Sequence, residues 1–237
     1  MAGSVSYLRL LRGALLSPRR ATSMARHMAR RRLSRPDVPD LPSFDADGLA
    51  MYAESLERAG LLLEYGAGGS TIFAASNNVS VISVENDKRY VRHVGLALRE
   101  SGLAELVNIL YCDVGMTLDW GIPLDKEPTR RNLARWKQYV TAPWAYVEQR
   151  GMRPHAVLVD GRFRVACVAY STIEVKRRGI DIPILLDDYA QRPHYGSILE
   201  ICDIRRRAGR MVQLCPKHDV DVAAAEGLLS SYLADWR

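Results

Sequence analysis

The sequence predicts an α/β fold: a doubly wound, Rossmann-like sheet of about seven strands, mostly parallel, closed by an antiparallel C-terminal hairpin. Three observations predict it. Five short apolar runs, at 61–65, 79–85, 107–112, 156–159 and 182–186, each end at a polar or glycine position. Helically patterned stretches separate them, which is the rhythm of βαβ units with a sheet covered on both faces. The first run leads directly into a glycine-rich turn, Gly66-Ala67-Gly68-Gly69.

The elements follow in order. Residues 1–42 read as a basic arm ending in a proline-containing linker. Leu8, Leu11 and Leu15 share one helical face, but Arg9 and Arg12 interrupt the run and spoil it as a signal-peptide core. The composition suits a mitochondrial presequence, a helix lying on anionic lipid, or a plain solvated arm. Pro36, Pro39 and Pro42 predict an extended, polyproline-like linker. The domain spans 43–237. Leu49, Tyr52, Ala53 and Leu56 predict its first helix, with Asp47 to cap the start and Gly60 the end. Further helices are predicted over 71–76, 87–101 and 164–178. Residues 115–153 form a long aromatic insertion containing Trp120, Trp136, Tyr139, Trp144 and Tyr146. A helix over 131–147 is expected there, broken by Pro143. At the C-terminus, runs at 202–206 and 211–215 flank Ala208-Gly209 as a hairpin turn.

Composition narrows the function classes. Of 237 residues, 48% are apolar and 25% charged, the balance of an ordinary globule and not of a disordered chain or a fibre. No run approaches the roughly 18 apolar residues of a membrane span. Cys112, Cys167, Cys202 and Cys215 form no Cys-x-x-Cys pair, which argues against a zinc ribbon or disulfide scaffold and suits a reducing, cytoplasmic setting. The net charge of +6 suggests nucleic acid only until it is located. Residues 1–36 hold nine arginines and no acid; subtracting that +9 leaves −3 for the rest. The domain therefore offers no general electrostatic support for a nucleic-acid partner. The arm carries the alternatives to a cytoplasmic setting, mitochondrial import or peripheral membrane contact.

The glycine turn carries the chemistry. Gly66 and Gly68 permit tight backbone geometry, and free N–H groups at the following helix start favour an anion. Glu85 stands nineteen residues after Gly66, at the end of the second strand, where an acid hydrogen-bonds ribose hydroxyls. A dinucleotide fingerprint fails because its sixth position is Thr71, and no Gly-Lys-Ser/Thr follows to make a P-loop.

The segment Glu64-Tyr65-Gly66-Ala67-Gly68-Gly69-Ser70 resembles the first motif of class I S-adenosylmethionine-dependent methyltransferases, an acid-x-Gly-x-Gly-x-Gly turn, with Ser70 in the last glycine position. The resemblance covers about residues 45–237. It implies that Glu64 lies near the amino end of the cofactor and that the backbone from Tyr65 to Ser70, Ala67 included, lines its methionine part and ribose. It implies further that Glu85 holds the ribose and that Asp113, followed by Val114, receives the adenine amino group. Asp160 then stands where the fourth strand meets the active site. Asp160-Gly161 and Asp187-Asp188-Tyr189 resemble, more loosely, metal-dependent macrolide-sugar O-methyltransferases, which implies that Asp160, Asp187 and Asp188 hold Mg²⁺. The other reading is that these aspartates cap helices or pair with Arg162 or Arg192.

Asp160 is the leading catalytic candidate, with His194 and Tyr195 as a secondary base or hydroxyl. Arg162 and Arg164 suit an anionic substrate, or a solvated helix start. Trp120, Tyr139 and Trp144 suit a lid over a sugar or aromatic ring, or the insertion's own core. Arg205, Arg206, Arg207 and Arg210 suit a solvated hairpin, a homodimer contact or an acidic partner. The expected function is methyl transfer to a small-molecule or glycan acceptor at oxygen. The absence of an Asn-Pro-Pro-Tyr tetrapeptide argues against adenine or glutamine N-methylation. A catalytically silent binding protein is the first alternative and a nicotinamide-dependent oxidoreductase the second.

Overall fold

The computed structural model describes residues 37–237; the nine-arginine segment 1–36, with the expected Leu8/Leu11/Leu15 face, lies outside the described residues. Seven strands form one sheet: β1 (Leu61–Tyr65), β2 (Ser80–Glu85), β3 (Val107–Tyr111), β4 (Ala156–Val159), β5 (Ile184–Leu186), β6 (Cys202–Ala208) and β7 (Met211–Pro216). Their order is β3-β2-β1-β4-β5-β7-β6. β1 to β5 run parallel, and β7 runs antiparallel to both β5 and β6. The order reverses between β1 and β4, the switch point outside which ligands of open α/β sheets bind.

Among the described residues six α-helices accompany the sheet: α1 (Ala46–Leu56), α2 (Gly69–Ser76), α3 (Lys88–Glu100), α4 (Arg130–Gln149), α5 (Arg164–Arg178) and α6 (Val222–Tyr232). Strand alternation sorts the side chains between the two faces. Leu61, Leu63, Tyr65, Val157 and Val159 enter one core with Trp136, Tyr139 and Trp144 of α4 and Val165 to Ala169 of α5. Leu62, Val81, Leu158 and Leu185 enter the other with Met51, Tyr52 and Leu56 of α1.

Four local expectations are corrected. Asp45, not Asp47, caps α1: its backbone is extended and its carboxylate accepts the Gly48 N–H at 2.8 Å, so the helix starts earlier. The same helix ends at Glu57 rather than Gly60. Pro143 does not break α4. The helix runs through it for 20 residues because Trp136, Tyr139, Trp144 and Val147 are buried on both sides of the proline, and packing outweighs one lost backbone bond. The stretch 115–153 is thus largely a crossover helix of the sheet and not an appended unit. The hairpin turn is Gly209-Arg210, since Ala208 pairs with Met211. Beyond β7 a further helix follows, where Asp221 caps α6 by accepting the Ala223 N–H at 3.0 Å.

All four cysteines are free, and three are buried. Among the described residues no helix is long and apolar enough to cross a membrane.

Candidate active site

The carboxyl ends of β1 and β4 meet at the switch point. Gly66 has φ of +98°, and a Cβ there would lie 2.7 Å from the Gly161 Cα, so both the turn and the approach exclude a side chain. Tyr65, expected beside the cofactor, points away from this turn. It is fully buried and its hydroxyl donates to the Val140 carbonyl at 2.7 Å, because its place on β1 faces α4. Ala67 and Val114 are buried too, Ala67 against Ile72 and Val94.

Glu64 faces the opposite side. Its two carboxylate oxygens accept the Ser70 and Thr71 hydroxyls, each at 2.5 Å. Ser70, the departure from the glycine pattern, therefore has a partner in the same motif. Burial raises the Glu64 carboxyl to about 7 against the pull of these two hydroxyls, and Asp160 raises it further. The acid expected at the cofactor's amino end is instead a buried tie between β1 and α2. Nor is the start of α2 open. A side chain at Gly69 would run into the carbonyls of Leu41 and Pro39, so the end of the linker lies across the glycine turn. Gly68 donates its N–H to the Thr71 hydroxyl at 2.9 Å.

Glu85 ends β2 beside this turn. Its Oε1 accepts the N–H groups of Asn86 (2.7 Å) and Asp87 (2.8 Å), which fixes the carboxylate plane. Burial lifts its carboxyl to about 7, opposed by those two bonds. Asp113, just beyond β3, accepts the Gly115 N–H and pairs with Arg135 of α4, both at 2.9 Å. Trp120 tops a tight turn whose Gly121 carbonyl accepts the Asn86 amide at 2.9 Å. It is 82% exposed and has φ of +61°, unusual for a bulky side chain. The turn that carries this exposed ring is thus tied, through Gly121, to the residue following the β2 acid.

At the ends of β4 and β5, ligand oxygens of Asp160, Asp187 and Asp188 lie within 4.8 Å of one another. Three guanidinium groups neutralise them. Arg164, 3% exposed, pairs with Asp160 (2.9 Å) and Asp188 (3.2 Å) and donates to the carbonyls of Asp160, Gly161 and Asp187. Arg192 pairs with Asp188 at 3.0 Å. Arg210, from the hairpin turn, holds both oxygens of Asp187 at 3.0 to 3.2 Å and also meets Asp188. A divalent cation here would face three cations at contact range. The three carboxylates are expected to hold Mg²⁺, and with these pairs in place such an ion would have to displace guanidinium groups that already answer them. Burial and the two neighbouring aspartates raise the Asp160 carboxyl to about 6, against the pull of Arg164 and Arg162. Its Oδ1 carries the Arg164 pair, and its side chain keeps 30% of its exposure.

The remaining candidates separate. Trp144 is fully buried in the α4 core and donates to the Ser171 hydroxyl at 3.1 Å, so it does not line a substrate site. Its helical position faces the sheet. Tyr139 is likewise buried, yet its hydroxyl accepts the Arg162 N–H at 3.3 Å beneath the cleft. His194 stacks edge-on against Tyr195 and takes its electrostatic surroundings from Asp235, Arg237 and Arg192. Among those neighbours Asp160 does not figure. Arg162 forms no ion pair among the described residues, and its Nε is buried without a partner.

Arg164, expected at an anionic substrate or a solvated helix start, is a buried strut, and Arg210, expected on a solvated hairpin, at a homodimer contact or against an acidic partner, is a partly exposed one. The signal for Arg210 was available: antiparallel pairing of β7 with β5 brings that turn to the carboxyl end of β5, beside two aspartates.

No protein-family model and no curated protein matches the sequence. Among solved structures, a methyltransferase-like protein from Silicibacter pomeroyi is 30% identical, with a TM-score of 0.67, and the match covers 83% of this chain and all of that one. An O-methyltransferase from Streptomyces achromogenes, in complex with S-adenosylmethionine, matches at 15% identity and a TM-score of 0.47 over 75% of this chain and 82% of its own. One from Bacillus cereus, in complex with S-adenosylhomocysteine, matches at 12% and 0.47 over 76% and 84%. On the first relative, whose whole length is covered, the chain belongs to the methyltransferase-like family, with the class I, Rossmann-like methyltransferase fold.

Proposed function

We propose that this protein binds S-adenosylmethionine at the carboxyl ends of β1, β2 and β3 and methylates a small-molecule or glycan acceptor at oxygen. The observation that carries the reading is the arrangement of Gly66, Glu85 and Asp113 at the ends of three neighbouring strands. The donor set suits a nucleoside. Glu85 has one carboxylate oxygen fixed by two backbone N–H groups and leaves Oε2 for a ribose hydroxyl. Asp113 keeps lone pairs for an amino group, and the turn that carries the exposed Trp120 is tied to Asn86, next to Glu85. When bound, the cofactor supplies a methyl carbon on a sulfonium centre.

The chain's own residues then hold and deprotonate the acceptor. Asp160 is the base of the reading. Arg164 orients it through Oδ1, and Oδ2 takes the acceptor proton. With its carboxyl near 6, Asp160 is largely ionised at neutral pH yet basic enough to accept a proton. No metal enters this scheme.

Calorimetry on the full chain tests it. S-adenosylmethionine and S-adenosylhomocysteine should bind, and NAD should not. Glu85→Ala should weaken both sulfur nucleotides by about tenfold or more, the scale of a lost charge-assisted hydrogen bond pair. A folded wild type that binds neither would end the reading.

A further inference from the structure

The rim beside Asp160 holds one arginine that closes no ion pair among the described residues, although it lies within electrostatic reach of Glu85 and Asp160. Asp160, Asp187 and Asp188 are balanced by Arg164, Arg192 and Arg210. Arg162 is left over: it has no ion pair among the described residues, and its Nε is buried without a hydrogen-bond partner. Arg162 is half-buried, and a guanidinium N–H buried without a partner is costly, so this Nε marks a place where an acceptor supplied from outside would be answered. A second group points the same way. Tyr195 is fully buried, and its hydroxyl also has no partner. That hydroxyl lies within electrostatic reach of Arg162, Arg164 and Arg192, and the Arg192 guanidinium sits 5.7 Å from its ring centre. The 15-residue helix α5 begins two residues after Arg162, with no side-chain cap on its first N–H groups. The Tyr139 hydroxyl holds the Arg162 backbone in place.

We propose that the acceptor carries an oxyanion group, a carboxylate or a phosphate, received by Arg162 and the Tyr195 hydroxyl at the start of α5. This rests on reading the cleft as a methyl-transfer site, and it names the chemical class of the acceptor. Arg162 supplies the charge. Tyr195 donates one hydrogen bond from a position with no alternative acceptor. Asp160, two residues before Arg162, is then placed to meet a hydroxyl elsewhere on the same molecule.

The test uses the full chain saturated with S-adenosylhomocysteine, titrated separately with inorganic phosphate and with acetate and followed by thermal unfolding. A saturable rise in the midpoint with one anion is expected, and the anion that gives it identifies the class. In Arg162→Gln the half-saturating concentration should rise about tenfold or more, with a smaller rise in Tyr195→Phe, since the charged contact is the stronger. S-adenosylhomocysteine affinity should not change in either variant. Tyr195→Phe deletes a single oxygen and guards against misfolding of the arginine variant. Three results would overturn the proposal: no saturable response to either anion, an equal response in wild type and both variants, or loss of S-adenosylhomocysteine affinity in Arg162→Gln, which would give that guanidinium to the cofactor. If the wild type responds to an anion through Arg162 but binds no S-adenosylhomocysteine, the anion site stands and the methyltransferase reading falls.

Discussion

Replacing Glu64 by glutamine should make the protein progressively more stable than wild type as the pH rises. Glu64 is fully buried, and its carboxyl is raised from an ordinary 4.5 to about 7. A carboxyl raised by folding stabilises the folded state fully below the unfolded value, and that contribution is lost as the pH climbs through the folded one. Between the two values lie about 2.5 units, worth about 3 kcal/mol at 1.36 kcal/mol per unit. From about pH 5 to about pH 8 the wild type should lose roughly 2.5 kcal/mol through this residue alone. Glutamine has the same shape, keeps an acceptor for the Ser70 hydroxyl and carries no charge to bury. Glu85, raised for the same reason, contributes equally to both proteins and cancels. Urea unfolding of both proteins at the two pH values measures the double difference. A difference that does not change with pH would refute the reasoning, because it would mean that Glu64 is not titrating in the folded state.

Arg164→Met should destabilise the fold by about 3–5 kcal/mol in the same assay, since it strands Asp160 and Asp188 without their buried partner. Gly66→Ala should abolish binding of S-adenosylhomocysteine or prevent folding, as the added carbon meets Gly161 on a backbone of positive φ; calorimetry showing wild-type affinity would contradict it. Turnover should fall about tenfold per unit as the pH drops below about 6, and Asp160→Asn should remove most activity together with that limb of the profile. EDTA should leave turnover unchanged, while a loss restored by added Mg²⁺ would show that a cation displaces one of the three guanidinium groups.

The fold was legible because its signals are local. Apolar runs bounded by glycine and acid, such as Leu61–Tyr65 before Gly66, state both a strand and its exit. Asp87 at the start of α3 and Gly179 at the end of α5 are end signals of the same kind. What remained hidden depends on register and facing. Tyr65 and Glu64 are neighbours in sequence, yet the period of a strand sends them to opposite cores, and only the sheet decides which faces what. The tryptophans of α4 look like a lid in composition, whereas their spacing is that of a helix buried against β-strands. Charge balance was the least legible. Arg164 and Arg162 are near-identical in sequence context, but one pairs with two aspartates and the other with none. Arg210 lies 23 residues from Asp187, and no local pattern joins them.

The place of Arg210 has a consequence for how the molecule comes into being. Ribosomes deliver the chain from its amino end, and domains fold as they emerge. Asp160, Asp187 and Asp188 therefore leave the tunnel before the hairpin that answers Asp187. Until that turn arrives, the strand β5 lacks its antiparallel neighbour and the rim has an unmet negative charge. The turn also closes on the start of the domain, since the Arg210 N–H donates to the helix-capping carboxylate of Asp45. One late residue thus latches the first helix, the fifth strand and the last hairpin in a single act, and a nascent chain that stops short of it holds a nearly finished sheet with an open seam.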